Sequence, residues 1–100
     1  MNAEAKLYQV LTSVPFGKVV TYGQLAELAE RPRGARWVGR TLKNLPKDTR
    51  LPWYKVINAQ GKISFPEDSE AWQRQRDKLA EEGILLHNGR IRLQDYQWQP

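Results

Sequence analysis

The apolar positions of this chain fall first into a helical rhythm. Leu7, Val10, Leu11 and Val14 recur at i, i+3, i+4 and i+7, a stripe that predicts an amphipathic helix over about 3–14. Pro15-Phe16-Gly17 ends it, and Lys18-Val19-Val20 is a short β-branched run suited to an edge strand. Thr21 is a good N-cap residue, and Gln24 three positions on completes a capping box. The helix so opened, about 22–30, puts Leu25, Ala26 and Ala29 on one side. Arg31-Pro32-Arg33-Gly34 then breaks the chain again.

The next helix, about 35–44, has two unlike faces. At about 100° per residue, Ala35, Val38 and Leu42 share one side, while Arg36, Arg40 and Lys43 lie within about 60° of one another on the other. Pro46 biases the residue before it away from helix, so the segment ends near Asn44 or Leu45. Two short helices joined by a tight turn, the second with a basic outer stripe, have the outline of a helix-turn-helix. A solvated charged face would carry the same stripe.

Beyond Pro52 the pattern shortens. Lys55-Val56-Ile57 and Lys62-Ile63-Ser64-Phe65 flank Asn58-Ala59-Gln60-Gly61, which predicts two short strands around a glycine turn. Asp68-Ser69 can cap a last helix of about 70–82, with Trp72 and Leu79 on its buried side and Gly83 closing it. Residues 85–93 form a hairpin candidate around Asn88-Gly89, a pair suited to a type I′ turn. The aromatic tail, Tyr96 and Trp98, either packs back or frays.

Composition narrows the function. Sixteen Lys and Arg stand against eleven Asp and Glu, a net charge of +5, which favours a polyanionic partner. One hundred residues, 40% of them apolar, suit a single globular domain over 1–100. There is no cysteine and only one histidine, His87, so a disulfide, a thiolate metal site, a cysteine nucleophile and a histidine cluster are all excluded. No metal or cofactor is expected. Glu4, Lys6 and Gln9 interrupt the first apolar pattern, unlike a secretory segment, and no apolar run approaches the roughly 20 residues of a membrane helix. A cytoplasmic monomer is the expectation.

Against this background, Pro52-Trp53-Tyr54-Lys55-Val56-Ile57 resembles the Pro-Cys-His-Arg-Val-Ile active-site signature of the O6-alkylguanine-DNA alkyltransferases. Val14-Pro15-Phe16-Gly17-Lys18-Val19-Val20-Thr21-Tyr22-Gly23-Gln24-Leu25-Ala26 is similar to that family's Ile-Pro-x-Gly-x-Val-x-Thr-Tyr-Gly-x-Ile-Ala segment. Ala35-Arg36-Trp37-Val38-Gly39 resembles its Ala-Arg-Ala-Val-Gly, and Asn44-Leu45-Pro46 its Asn-x-Pro. Glu81-Glu82-Gly83 follows in order. The resemblance spans about residues 7–83 and implies an α+β, mainly helical, winged helix-turn-helix-like domain.

The resemblance also implies roles. Tyr22 would sit against the DNA backbone and help rotate a nucleotide out of the stack, although a first-turn aromatic packed on the core is the plainer reading. Arg36 would enter from the minor groove and fill the vacated space, because flipping costs a few kcal/mol and leaves a gap to occupy. Arg40 and Lys43 are placed for phosphates. Asn44 corresponds to a hinge asparagine whose side chain bonds backbone, a position a simple C-cap explains as well. Glu82 matches the glutamate that orients the enzyme's histidine, and here could hold the loop by bonding the Tyr54 hydroxyl.

Trp53 changes the chemistry. It occupies the place of the alkyl-accepting cysteine, and Tyr54 and Lys55 replace the histidine and arginine, so nucleophile and relay are both missing. No catalytic residue is expected. Either Trp53 lines the pocket beside a flipped base, or its bulk plugs it; Trp53, Tyr54 and Lys55, with Ser64 and Phe65 as a reshaped wall, make up the expected lesion pocket. The resemblance implies a non-enzymatic alkyltransferase-like protein that binds double-stranded DNA containing O6-alkylguanine and flags it for nucleotide excision repair proteins. Three rivals remain: a helix-turn-helix regulator without lesion specificity, an enzyme of another reaction, and a blocker that only shields lesions.

Overall fold

The computed structural model describes residues 2–100. Helix α1, Ala3–Ser13, starts where the Asn2 side chain accepts from the Ala5 N–H at 2.7 Å, and its stripe buries Leu7 and Leu11. Strand β1, Val20–Thr21, runs directly into helix α2, Tyr22–Leu28. Thr21 caps α2 through the reciprocal box expected: its hydroxyl accepts from Gln24 N–H at 3.1 Å, and Gln24 Oε1 accepts from Thr21 N–H at 3.3 Å.

Between α2 and helix α3, Ala35–Lys43, the backbone turns through Glu30 and Arg33, both at positive φ (64° and 65°). Gly34 closes this turn because there is no room for a side chain: a Cβ there would lie 2.6 Å from the Arg31 carbonyl oxygen. A 3-10 turn over Trp53–Lys55 leads into strand β2, Val56–Ile57. Helix α4, Glu70–Glu81, is capped by Ser69, whose hydroxyl accepts from Trp72 N–H at 3.1 Å. It ends in a Schellman motif, with Ile84 N–H donating to Leu79 and Gly83 N–H to Ala80. A single turn, α5, Leu93–Tyr96, completes the order.

Strands β1 and β2 pair in parallel, Val20 opposite Val56 and Thr21 opposite Ile57. Their alternating side chains divide the interior. Val20 and Val56 join Leu7, Leu11, Leu25, Ala26 and Val38 under the helix-turn-helix pair, whereas Val19 and Ile57 join Leu79, Ile84 and Ile91 beneath α4. The sheet thus fixes the helix-turn-helix half against the α4 half, with the 3-10 turn at the junction.

Three expectations are corrected. Lys18-Val19-Val20 is not an edge: Val19 N–H donates to the Tyr96 carbonyl at 2.9 Å and the Val19 carbonyl accepts from Trp98 N–H at 2.8 Å, so the returning tail covers its other side. The 55–57 strand does not pair with 62–65. Asn58 folds the intervening loop on itself, accepting at Oδ1 from Gln60 and Lys62 N–H, both at 2.9 Å, and β2 takes β1 as its partner. The 85–93 hairpin shrinks to its turn, with Asn88 and Gly89 at φ 54° and 76° and one bridged pair, His87 and Arg90.

Candidate nucleic-acid interface

The α2–α3 pair sets one wall of a cavity of about 700 Å³. Tyr22, first residue of α2, projects into it, and its ring edge lies 4.0 Å from where a Cβ on Gly39 would stand. Ala35, Arg36, Leu42 and Lys43 continue that wall; Ala35 and Leu42 are half-buried, and Leu42 packs against the core as well as lining the cavity. Arg36, Arg40 and Lys43 are exposed, and among the described residues none of them is in an ion pair. Arg40 lies outside the cavity lining, and Arg40 and Lys43 also complement the C-terminal end of the helix dipole.

Trp53 enters the cavity from the opposite side, half-buried, its ring 5.9 Å from that of Tyr54 at an edge-on 86°. It lines the cavity without filling it. Ser64 and exposed Phe65 form the outer wall with Asn58 and Ala59, because Ile63 is anchored in the core and turns the following residues outward.

Tyr54 and Lys55 do not line the cavity, contrary to expectation. A 3-10 turn advances about 120° per residue, so Trp53, Tyr54 and Lys55 point in three directions. Lys55 is buried, 3% exposed. Its three ammonium protons meet three acceptors: Pro15 O at 2.6 Å, Glu82 Oε1 at 2.9 Å and Val14 O at 3.2 Å. Tyr54 donates its hydroxyl to Glu82 Oε2 at 2.8 Å, and Gly17 N–H donates to Oε1 at 2.9 Å. Glu82 thus holds the chain after Trp53 to the end of α4 and to the loop after α1.

The electrostatics follow. Burial, then the hydrogen bond from its hydroxyl to the Glu82 carboxylate, push Tyr54 up to about 12. For Glu82 burial acts upward, but the Gly17 N–H, Lys55 and the Tyr54 hydroxyl outweigh it and hold the carboxyl below its ordinary value. Neither a base near neutrality nor a nucleophile results.

Asn44 is the C-cap of α3, held through its own backbone N–H to Arg40 and Thr41. Its exposed side chain makes no hydrogen bond among the described residues, so the bridging expected of a hinge asparagine is not seen here. Sequence reasoning missed Gly23, Asn58, Ala59 and Gln75 as cavity residues. Gln75 alone carried a signal. It falls between Trp72 and Leu79 on the buried side of α4, an uncharged polar residue where the pattern asks for an apolar one.

A model of the DNA-binding domain of 6-O-methylguanine DNA methyltransferase matches residues 2–84. The chain belongs to this family. Within it, the chain is 46% identical over 96 residues to a DNA base-flipping protein of Vibrio parahaemolyticus, covering 95% of this chain and 94% of that one. It is 39% identical over 100 residues to alkyltransferase-like protein 1 of Schizosaccharomyces pombe, covering 95% and 93%. Its fold superposes on crystalline S. pombe Atl1, bound to damaged DNA containing O6-carboxymethylguanine, with a TM-score of 0.90 and 38% identity, over 98% of this chain and 95% of that one. The methyltransferase family's thiol chemistry is absent here, since the chain has no cysteine and Trp53 stands at the signature position.

Proposed function

We propose that this protein binds double-stranded DNA at O6-alkylguanine, rotates the damaged nucleotide into the cavity beside Trp53, and leaves the alkyl group in place. The observation that carries the reading is the joint lining of one cavity by Tyr22, Arg36 and Trp53 in a chain without a nucleophile. Relatives named for base flipping, and a close structural neighbour holding a damaged duplex, support it.

The physical sequence of events follows from the geometry. Arg40 and Lys43, exposed and in no ion pair among the described residues, meet phosphates and set the register. Arg36, on the first turn of α3 at the cavity rim, fills the stack as the base leaves, its planar guanidinium able to stack and to hydrogen-bond. Tyr22 lines the same cavity from the start of α2, placed to guide the backbone of the turning nucleotide. Trp53 then offers an aromatic face or edge to the base, a contact worth about 1–3 kcal/mol. An outer wall of Ser64 and Phe65 leaves room for adducts larger than methyl.

With no transfer step the complex persists and acts as a flag for nucleotide excision repair of chromosomal DNA. Incision at O6-methylguanine by a reconstituted excision nuclease tests this. Faster incision with the protein present, and the lesion recovered chemically intact from the complex, is the expected result. Slower incision would make it a shield, and an alkylated protein would make it an enzyme.

A further inference from the structure

Gln75 is 2% exposed, yet it lines the cavity. Its Nε2 donates to the carbonyl of Tyr54 at 2.9 Å and to that of Val56 at 3.0 Å. Two carbonyls cannot share hydrogen bonds with an amide oxygen, so they fix which way the amide faces. Both of its protons are thereby committed to the backbone that follows Trp53.

The oxygen Oε1 is left over. Among the described residues nothing donates to it, and no fully buried side-chain oxygen or nitrogen lacks a partner. Oε1 therefore keeps some contact with solvent, and Gln75 is a lining residue of the cavity. Oε1 is an acceptor held in a set orientation by an amide that cannot rotate without breaking two bonds.

Alkylation at O6 removes the N1 proton of guanine, because the ring must then carry a second C=N bond. The 2-amino group is the one donor remaining on the Watson–Crick edge. We propose that Gln75 Oε1 accepts a hydrogen bond from this 2-amino group, and so selects alkylated guanine over 6-alkoxypurines that lack the amine. Gln75 is thus a specificity-determining residue, and it rests on the cavity being the lesion pocket.

Three duplexes of one sequence test this by equilibrium titration: one with O6-methylguanine, one with its analogue 6-methoxypurine, which lacks the amine, and an undamaged twin. Wild type is expected to bind O6-methylguanine about three- to tenfold tighter than 6-methoxypurine, the usual span for one net hydrogen bond. Loss of the amine also weakens pairing and eases flipping, so the wild-type difference understates the contact. Gln75→Lys keeps a donor for the two carbonyls but has no acceptor, and it should shift the ratio of the two affinities about three- to tenfold towards 6-methoxypurine. Gln75→Met, of similar length, serves the same comparison if the lysine variant does not fold. A ratio of the two lesion affinities that is the same in wild type as in the variants, with both lesions above the undamaged duplex, overturns the role of Gln75 while the lesion pocket stands. An unchanged ratio that favours O6-methylguanine further assigns the amine to another acceptor. If neither lesion exceeds the undamaged duplex, the lesion pocket falls and the role of Gln75 with it.

Discussion

Lys55 and Glu82 form an ion pair at 2.9 Å with side chains only 3% and 10% exposed. Lys55 lies two residues along the chain from Trp53, so the segment that presents the tryptophan is tied down by this pair as well as by the apolar packing of Tyr54, Val56 and Ile57. Removing one partner of such a pair leaves the other buried and unmatched, typically a loss of about 3–5 kcal/mol. Lys55→Met and Glu82→Gln should each lower stability by about that amount in urea unfolding, and the double variant should lose less than the sum.

The same carboxylate predicts a pH dependence. Glu82 is held below its ordinary value of 4.5 when folded, so the unfolded chain binds the proton more readily. Its contribution is complete above pH 4.5 and is lost as pH falls through the lower folded value. Urea midpoints measured down this acid limb should fall more steeply for wild type than for Glu82→Gln.

At the alkaline end Tyr54 has the opposite sense. Its folded value of about 12 lies above its ordinary 10.0, so its contribution is present below pH 10.0 and fades as pH rises towards about 12. Tyrosinate absorbance should show a component titrating near 12 that Tyr54→Phe removes.

Arg40 is exposed, in no ion pair among the described residues, and outside the cavity lining. Its neutralisation should weaken damaged and undamaged duplexes alike. Arg40→Ala is expected to reduce the slope of log affinity against log salt by about 1 for both duplexes. A loss confined to the damaged duplex would place Arg40 at the lesion instead.

Helices α2 and α4 were the most legible in the sequence because each carries its own punctuation. Thr21 and Ser69 cap α2 and α4 as their side-chain chemistry dictates, and Gly83 closes α4, whereas α3 has no side-chain cap and the single turn α5 carries no such signal. The strands were less legible. Val56-Ile57 is compatible with any neighbour, and its pairing with Val20-Thr21 is decided by contacts far apart in the chain. The Asn58 loop that prevents the local hairpin depends on a side chain bonding its own backbone.

Within the site, Trp53, Ser64 and Phe65 were expected in the pocket and Tyr22 and Arg36 at the DNA beside it; all five line one cavity, as does Lys43, which its helix position assigned to phosphates. Tyr54 and Lys55 do not, since adjacency in a hexapeptide says nothing of direction until the 3-10 turn separates the three side chains. Trp53 was open between lining and plugging. The cavity of about 700 Å³ beside it favours lining, as the account requires.

The central claim is that Trp53 and Arg36 serve recognition of a damaged base. Titration of an O6-methylguanine duplex and its undamaged twin, followed by tryptophan emission, tests it most directly. Four tryptophans contribute to the signal, so Trp53→Ala and Arg36→Ala are measured beside wild type. Tighter binding of the damaged duplex is expected, by about five- to 150-fold from one base–aromatic contact of about 1–3 kcal/mol, with most of that preference gone in Trp53→Ala and both duplexes weakened in Arg36→Ala. Equal affinity of wild type for the two duplexes would contradict the account.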